Sequence, residues 1–246
     1  MSLKDFKLKV TLPEELTKQD DLELILSNAI IESNIPEGSG LGSSAALSVS
    51  IARCFTTEST RILKLAKTFE DKFHFGSSGI DVFTSANGGL CRLYSNVNFE
   101  KLPTDLLRKL QKFKFSLVDT NERRKVSEIK SKINKNDLKH FLPAAAEISK
   151  EFEHFLFNET PSIDVIVNLF NRSHGALVQL KVSTPLIDLI TSRLTNEFKN
   201  LGVKITGAGG GGCLLLVHTE EVTQLQLCNT LKDLKTRLYY DIQFLE

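Results

Sequence analysis

The chain opens with alternating apolar and polar residues, whereas helical spacing of apolar residues dominates most of the remaining sequence. From Phe6 to Leu12 every second residue is apolar, with lysine or threonine between, which predicts a half-buried strand. The segment 22–33 is ambiguous by periodicity, but its end, Ala29–Ser33, runs into a proline- and glycine-rich stretch that favours a strand. Strands and helices mixed without a strict βαβ repeat predict the α+β class.

Longer stretches carry apolar residues three or four positions apart, which is the spacing of an amphipathic helix. The predicted helices are 45–55, 60–73, a short one from Ile80, 126–133, 138–157, 163–180, 185–201 and 221–234. The predicted strands are 90–94, 113–118, 203–205, 213–218 and 238–244. The polar stretch Asn96–Leu106 is the best candidate boundary between two domains, 1–106 and 107–246.

The composition of the chain mainly shows which classes of function and site are unexpected. Lys and Arg number 31 against 30 Asp and Glu, so no overall field favours nucleic acid or an anionic membrane, and any phosphate must be bound locally. The four cysteines include no C-x-x-C pair, which argues against a zinc site or a disulfide framework and for a reducing compartment. The sequence shows neither an apolar signal core nor a run of about 18 apolar residues, which predicts a cytoplasmic protein.

The strongest chemical signal is the segment Pro36–Ala46, P-E-G-S-G-L-G-S-S-A-A, which leads into a predicted helix. Its glycines let a polyphosphate approach the backbone, and the N–H groups of a first helical turn lack partners. It matches neither standard nucleotide fingerprint, because it lacks the lysine of one and the spacing of the other. Two interpretations stay open, a phosphate-binding loop or a glycine-rich turn in which Ser43 caps the helix.

A second glycine-rich run, Gly207–Gly212, lies between two predicted strands. A chain reversal needs fewer residues without a Cβ atom than this run contains. The run therefore indicates close approach to a ligand or to the first glycine-rich segment.

Two acidic residues have both a chemical and a structural interpretation, and two histidines have only a structural one. Asp81 follows a Ser-Gly pair, and from the residues alone it is most simply a helix cap. Glu70 can be a metal ligand or a solvated charge on a helix. His74 and His174 are assigned structural roles, because no carboxylate or nucleophile sits at a spacing that makes a recognisable relay.

Together these segments resemble the GHMP small-molecule kinases. Pro36–Ala45 fits the central motif P-x-x-[SA]-G-L-G-S-S-A of that superfamily, and Thr206–Cys213, T-G-A-G-G-G-G-C, is most like the carboxy-terminal glycine motif of mevalonate kinases. His74–Asp81 resembles the segment H-G-x-P-S-G-x-D, with Phe75 in place of glycine and Ser77 in place of proline. The match keeps the family's order from about Ile30 to Val217.

The resemblance implies a GHMP kinase fold, with an amino-terminal half like ribosomal protein S5 domain 2 and a ferredoxin-like carboxy-terminal half. It implies Mg²⁺ binding by Ser44 and Glu70, and a catalytic carboxylate at Asp81 that accepts the proton of the substrate hydroxyl. The residues it implies for ATP binding are Pro36, Gly38, Ser39, Gly40, Leu41, Gly42, Ser43, Ser44, Ala45, Gly209 and Gly210.

The implied reaction is the ATP-dependent phosphorylation of mevalonate to 5-phosphomevalonate in isoprenoid precursor synthesis. The implied partners are ATP and this small alcohol, without nucleic acid or membrane, and a homodimer is left open. The family's opening motif, P-x-K-[VI]-x-[LF]-G-E-H, has no counterpart, so residues 1–35 are expected to begin partway into the first domain. Asp119–Lys125 fits the family's N-T-x-x-P-R-S-T only at Thr120 and Arg124. A phosphomevalonate kinase and a catalytically inactive binding or regulatory relative therefore stay open as alternatives.

Overall fold

A computed structural model of the chain describes residues 8–12, 14, 17, 22–74, 77–94, 98–123, 128, 129, 131, 133–158 and 160–244. The longer helices are α1 (Leu22–Asn28), α2 (Ser43–Phe55), α3 (Ser59–His74), α4 (Ile80–Asn87), α5 (Thr104–Leu110), α6 (Lys135–Asn158), α7 (Ile163–Gln179), α8 (Pro185–Glu197) and α9 (Gln224–Leu231). The strands are β1 (Leu8–Thr11), β2 (Ile30–Ser33), β3 (Cys91–Leu93), β4 (Phe99–Lys101), β5 (Lys114–Asp119), β6 (Leu201–Ile205), β7 (Cys213–His218) and β8 (Arg237–Tyr239).

Most predicted elements are confirmed, and a few segments differ from the prediction. The ambiguous segment 22–33 is a helix followed by a strand, and the predicted helix 185–201 stops at Glu197 because Leu201 begins β6. The polar stretch proposed as a boundary contains β4 and the start of α5, whose inward side is made of leucines at helical spacing. These leucines are Leu106, Leu107 and Leu110. The predicted helix 126–133 falls mostly outside the described residues.

The described residues divide into two compact units. The amino-terminal unit consists of Leu3–Pro36 and Gly42–Thr104, and the carboxy-terminal unit contains Glu37–Leu41 and Asp105–Phe244. The first glycine-rich segment is thus shared along the chain between the two units. The domain limits 1–106 and 107–246 stay a prediction.

The amino-terminal unit packs three helices together beside two small antiparallel sheets. β1 pairs with β2, β3 pairs with β4, and helices α2, α3 and α4 pack against one another. Apolar side chains on the facing sides of these helices, together with Ile25 of α1, form the core, which is expected because burying apolar surface is the main driving force for packing amphipathic helices. This core consists of Ile25, Ala45, Val49, Ile51, Ala52, Ile62, Ala66, Phe69 and Val82.

The carboxy-terminal unit is built on a four-stranded antiparallel sheet with the strand order β6-β7-β5-β8. The central strands β5 and β7 are buried almost throughout, because helices cover the sheet. The main core combines α8 and α9 with the sheet, and its fully buried members include Ile187, Leu194 and Leu214. No helix in the described part of the chain is long and apolar enough to span a membrane.

His218, at the end of β7, is a buried histidine whose hydrogen bonds define its protonation. Its Nδ1 lies 2.9 Å from the carbonyl oxygen of Thr219, which can only accept, so Nδ1 carries the proton. In the neutral ring Nε2 then accepts from the Ser116 hydroxyl at 2.9 Å. Burial lowers the pKa of His218, with Asp241 acting to raise it and Lys114 to lower it, and burial also lowers the pKa of His174.

These lowered pKa values predict a stability that falls in weakly acidic solution. The unfolded chain binds protons more readily than the buried rings, so the free energy of unfolding should decrease as the pH falls below about 6.5. The slope is at most about 1.4 kcal/mol per pH unit for each histidine. Urea unfolding at about pH 7.5 and about pH 5 tests this. His218→Gln should reduce the difference between the two pH values, and an unchanged difference would show that His218 does not contribute to it.

Candidate functional site

The first glycine-rich segment forms a tight loop, 36–42, that ends at the start of α2. Three of its glycines have a left-handed backbone, with φ of 65° at Gly38, 74° at Gly40 and 72° at Gly42. Residues with a Cβ atom rarely adopt this conformation, whereas glycine adopts it without a steric penalty. The shape of this first loop therefore depends on glycine at these positions.

The first turn of α2 presents backbone N–H groups without intrahelical partners. The first hydrogen bond of the helix is donated by the N–H group of Ala46 to the carbonyl oxygen of Gly42 at 2.9 Å, so the N–H groups of Ser43, Ser44 and Ala45 have no acceptor within the helix. Gly42 occupies the N-cap position, and no side chain caps the helix. The interpretation of Ser43 as a helix cap is therefore wrong. Free N–H groups and the helix dipole together favour an anion at this end.

The second glycine-rich run, Gly207–Gly212, forms a second loop that packs directly against the backbone of the first. A Cβ atom on Gly40 would lie 2.7 Å from the carbonyl oxygen of Thr206, and one on Gly212 would lie 2.6 Å from that of Ser39. The N–H group of Cys213 donates to the same Ser39 oxygen at 2.8 Å. The expected close approach of the two glycine-rich segments is confirmed, since only glycine permits these distances.

Other glycines of the second loop contact neighbouring backbone within the carboxy-terminal unit. A Cβ atom on Gly209 would lie 2.5 Å from the carbonyl oxygen of Val182, and the N–H group of Gly210 donates to that oxygen at 2.6 Å. A Cβ atom on Gly211 would lie 2.7 Å from the carbonyl oxygen of Glu122. The chain itself therefore accounts for glycine at position 209, and nucleotide binding by Gly209 and Gly210 stays a prediction.

The segment after β5 holds both loops in place. Thr120 donates its hydroxyl proton to the carbonyl oxygen of Gly212 at 2.8 Å. Arg123 binds the buried Asp119 through both carboxylate oxygens at 2.7 and 2.6 Å, which raises the pKa of the Arg123 guanidinium. Its Cδ atom lies 3.2 Å from where a Cβ atom of Gly38 would be. Arg123 stands where the family motif N-T-x-x-P-R-S-T has proline. This departure from the motif supplies a partner for the buried carboxylate of Asp119. Arg124 lies outside the described residues.

Ser44 and Glu70 come together in the amino-terminal unit, although they are 26 residues apart in the sequence. The Ser44 hydroxyl donates to Glu70 Oε1 at 2.9 Å, and the Ser48 hydroxyl, one turn further along α2, donates to Glu70 Oε2 at 3.0 Å. Glu70 is only 2% exposed. The interpretation of Glu70 as a solvated charge is therefore wrong, because α3 directs this carboxylate towards α2.

His74 belongs to the same cluster, which the sequence reasoning missed. Its Nε2 lies 2.9 Å from Ser44 Oγ and 3.2 Å from Glu70 Oε1. A carboxylate does stand at a meaningful spacing from this histidine, because positions i and i+4 of a helix share one face. The i,i+4 pair of Glu70 and His74 on a predicted helix was the signal that could have identified the cluster.

Asp81 lies in the first turn of α4 and points into solvent. Gly79 is the N-cap residue, with φ of 84°, and no side chain caps this helix, so the interpretation of Asp81 as a cap is wrong. Asp81 is exposed, and its side chain has no hydrogen-bond partner among the described residues. An unpaired carboxylate at a helix start is available for a ligand, although the helix dipole alone also favours an acid there.

The loop before α4 is anchored by Asp71. The N–H group and the hydroxyl of Ser77 donate to Asp71 Oδ1 at 2.8 and 3.1 Å. The Lys67 ammonium binds the same carboxylate at 2.6 Å, and this bond is the main reason that the pKa of Asp71 is lowered. Proline has no N–H group, so Ser77 makes a backbone bond that the proline of the resembled motif could not make. Phe75, the other departure, lies outside the described residues.

The remaining residues that are predicted to bind ATP differ in their exposure to solvent. Pro36 and Leu41 are partly buried, and Ala45 is a core residue of the amino-terminal unit. Ser39 is fully buried, and its hydroxyl has no hydrogen-bond partner in the described part of the chain. Ser39 therefore contributes its backbone carbonyl, rather than its hydroxyl, to the contact between the loops.

The Ser44–Glu70 pair has the chemistry and spacing of two adjacent Mg²⁺ ligands. Mg²⁺ prefers oxygen ligands at about 2.0–2.1 Å in an octahedron, which places neighbouring ligands about 2.9 Å apart. The two oxygens stand 2.9 Å apart. The described residues contain no cluster of three or more His, Cys, Asp and Glu side chains that could hold a metal ion. This pair alone is an incomplete site, which suits an ion that takes its other ligands from phosphate and water.

Two family models match the chain in the expected order. The model of the GHMP kinases N terminal domain matches residues 12–89, and that of the GHMP kinases C terminal domain matches residues 129–233. Together they cover more than half of the chain and fall on the helices and strands that carry the two loops.

Individual relatives show the same likeness. A mevalonate kinase of Thermococcus sibiricus is 33% identical over an alignment of 211 residues that covers 79% of this chain and 61% of that protein. The crystal structure of the Methanococcus jannaschii mevalonate kinase matches with a TM-score of 0.71 and 27% identity, over 86% of this chain and 67% of the other. The chain thus spans about three fifths of the length of the curated relatives it matches.

A third comparison shows how widely the fold is shared. The structure of a Streptococcus pneumoniae phosphomevalonate kinase in complex with phosphomevalonate and AMPPNP matches with a TM-score of 0.73, over 96% of this chain and 90% of the other. At 15% identity this likeness concerns the fold alone.

Proposed function

Because the chain belongs to the GHMP kinase family, we propose that it transfers the γ-phosphoryl group of ATP to a hydroxyl group of mevalonate. One observation carries this proposal: the amino-terminal unit contains both backbone N–H groups without helical acceptors, at the start of α2, and the Ser44–Glu70 pair. One feature suits phosphate and the other suits the cation that accompanies it. The mevalonate kinases among the relatives support the choice of alcohol.

In this proposal the backbone of the first loop and of the first turn of α2 binds the ATP phosphates. Ser44 and Glu70 would hold Mg²⁺, which when bound would neutralise charge on the transferring phosphoryl group. Asp81 would accept the proton of the attacking hydroxyl, or stabilise the alkoxide, as the new oxygen–phosphorus bond forms. Phosphoryl transfer depends mainly on positioning and charge neutralisation, so these groups match what the reaction requires.

The metal assignment predicts that nucleotide affinity depends on Mg²⁺ through two side chains. Ser44→Ala and Glu70→Gln should each remove at least tenfold of the affinity that Mg²⁺ adds to ATP binding, because each deletes one oxygen ligand or its charge. Calorimetry with ATP in Mg²⁺ and in EDTA measures that difference. Ser50→Ala is the control, because Ser50 also lies on α2 and no hydrogen bond joins its hydroxyl to Glu70 among the described residues. If Mg²⁺-dependent affinity survives both substitutions, the metal assignment fails.

A phosphomevalonate kinase is the second candidate, because such a sibling kinase would keep the same two glycine-rich loops, Pro36–Ala46 and Gly207–Gly212. A coupled assay that offers mevalonate and phosphomevalonate separately distinguishes the two. Turnover of mevalonate alone supports the first proposal, and turnover of phosphomevalonate alone replaces it. ATP binding without turnover of either alcohol would support a binding or regulatory relative.

A further inference from the structure

The cluster of Ser44, Glu70 and His74 contains fewer hydroxyl protons than acceptors. Ser44 has one hydroxyl proton, and two atoms within its reach can accept it: Glu70 Oε1 at 2.9 Å and, in the ring tautomer whose Nε2 lacks a proton, His74 Nε2 at 2.9 Å. A carboxylate accepts but does not donate, and a neutral imidazole accepts at whichever ring nitrogen lacks a proton. The Ser44 proton can therefore point towards Glu70 or towards His74, but not towards both.

The two orientations of the Ser44 hydroxyl differ in whether a proton or only lone pairs lie between Ser44 Oγ and Glu70 Oε1. When the proton points to Glu70, an ordinary hydrogen bond joins the two oxygens. When it points to His74, lone pairs of both oxygens face each other across the 2.9 Å separation, which is repulsive unless a cation lies between them. The second orientation is therefore the one that a cation site requires, and His74 is the acceptor that makes it available.

We propose that His74 is a positioning residue for the metal ion of the proposed kinase, and this inference rests on that proposed function. His74 accepts the Ser44 proton through Nε2 and so turns the Ser44 lone pairs towards the cation shared with Glu70. The proton stays on Ser44 Oγ and only rotates about the Cβ–Oγ bond, so no proton is gained or lost. This role uses the ring tautomer whose Nε2 lacks a proton.

The packing of α3 against α2 supports this role for His74. Glu70 is held from its far side by Ser48, which bonds Oε2 at 3.0 Å, so the carboxylate keeps Oε1 directed at Ser44. The His74 side chain is 25% exposed and that of Glu70 only 3% exposed, so the histidine lies at the rim of the cluster and the carboxylate inside it. Outer partners of metal ligands orient them in this way and commonly change metal affinity by about 10–100-fold.

The test compares three variants by calorimetry of ATP binding in Mg²⁺ and in EDTA. His74→Leu removes the acceptor and should lose tenfold or more of the Mg²⁺-dependent gain in affinity, with metal-free ATP affinity unchanged. His74→Gln places an amide oxygen near the Nε2 position and should recover most of that gain. His74→Asn, whose amide oxygen is too short to reach Ser44, should not. Binding of Mn²⁺, followed by electron paramagnetic resonance, should rank the variants in the same order.

Each outcome bears on one of the two proposals. If wild-type ATP affinity shows no dependence on Mg²⁺, the proposed function fails. If the dependence is present and requires Ser44 and Glu70, but His74→Leu keeps all of it, the role of His74 is overturned while the kinase proposal stands. If His74→Leu does not fold, the comparison of His74→Gln with His74→Asn decides, and equal Mg²⁺-dependent affinities in these two variants also overturn it.

Discussion

Asp81→Asn is expected to reduce kcat by about a hundredfold or more, while ATP affinity and melting temperature stay near their wild-type values. The expected reason is that a base or alkoxide stabiliser acts mainly in the transition state, so its loss affects turnover more than binding. The structure makes the fold insensitive to this change, because Asp81 is exposed and its side chain makes no hydrogen bond among the described residues. Steady-state kinetics with the alcohol that the wild-type chain phosphorylates, together with calorimetry of ATP binding, provide the measurement.

A matched control for this substitution is Asp105→Asn. Asp105 is also an exposed acid in the first turn of a helix, α5, so its replacement removes the same favourable interaction with a helix dipole. It should leave kcat unchanged. If Asp81→Asn behaves like Asp105→Asn, Asp81 only stabilises its helix, and the proposed proton acceptor must be sought elsewhere.

Gly40→Ala is expected to have the largest effect on stability of any glycine substitution in the first loop. The new methyl group would lie 2.7 Å from both the carbonyl oxygen and the hydroxyl oxygen of Thr206, and φ at Gly40 is 74°. Steric overlap and a left-handed backbone together should cost about 3 kcal/mol, which corresponds to a melting temperature lower by about 10 °C. ATP affinity should fall as well, because the second loop supports the shape of the first.

Two other glycines separate the causes of this effect. Gly42 has nearly the same φ, 72°, but a Cβ atom added there would have no other atom within 4 Å. Gly42→Ala should therefore cost only about 1 kcal/mol in stability. Gly175 lies within α7, and its virtual Cβ atom is equally unobstructed, so Gly175→Ala should stabilise the chain by about 0.5–1 kcal/mol. Thermal unfolding of the three variants gives the order directly. Equal losses in Gly40→Ala and Gly42→Ala would show that the contact between the loops is unimportant.

Together the two experiments separate the parts of the proposed site by the property each controls. Asp81 is predicted to control turnover, and the contact between Gly40 and Thr206 is predicted to control folding and nucleotide affinity. Ser44, Glu70 and His74 are predicted to control only the contribution of Mg²⁺. A site assigned by resemblance alone would not make these distinctions, because they depend on burial and on neighbours in space.

The sequence by itself determined the features that depend on local spacing. Helical periodicity placed α2 and α3, and the glycines of the first loop indicated a backbone that another group can approach closely. Backbone conformation and amphipathic periodicity are properties of adjacent residues, so a single sequence contains them. The motifs also determined the family, since their order along the chain is a sequence property.

Only the tertiary structure decided which distant residues meet and what each glycine avoids. The sequence left Glu70 open as a solvated charge, yet the packing of α3 on α2 buries it against Ser44. Glycine at position 209 is required by the carbonyl oxygen of Val182, a contact that no local pattern records. Burial depends on how helices and strands pack across long sequence separations, and a hydrogen bond depends on distances of a few tenths of an ångström. Neither quantity can be read from the spacing of residues along one chain.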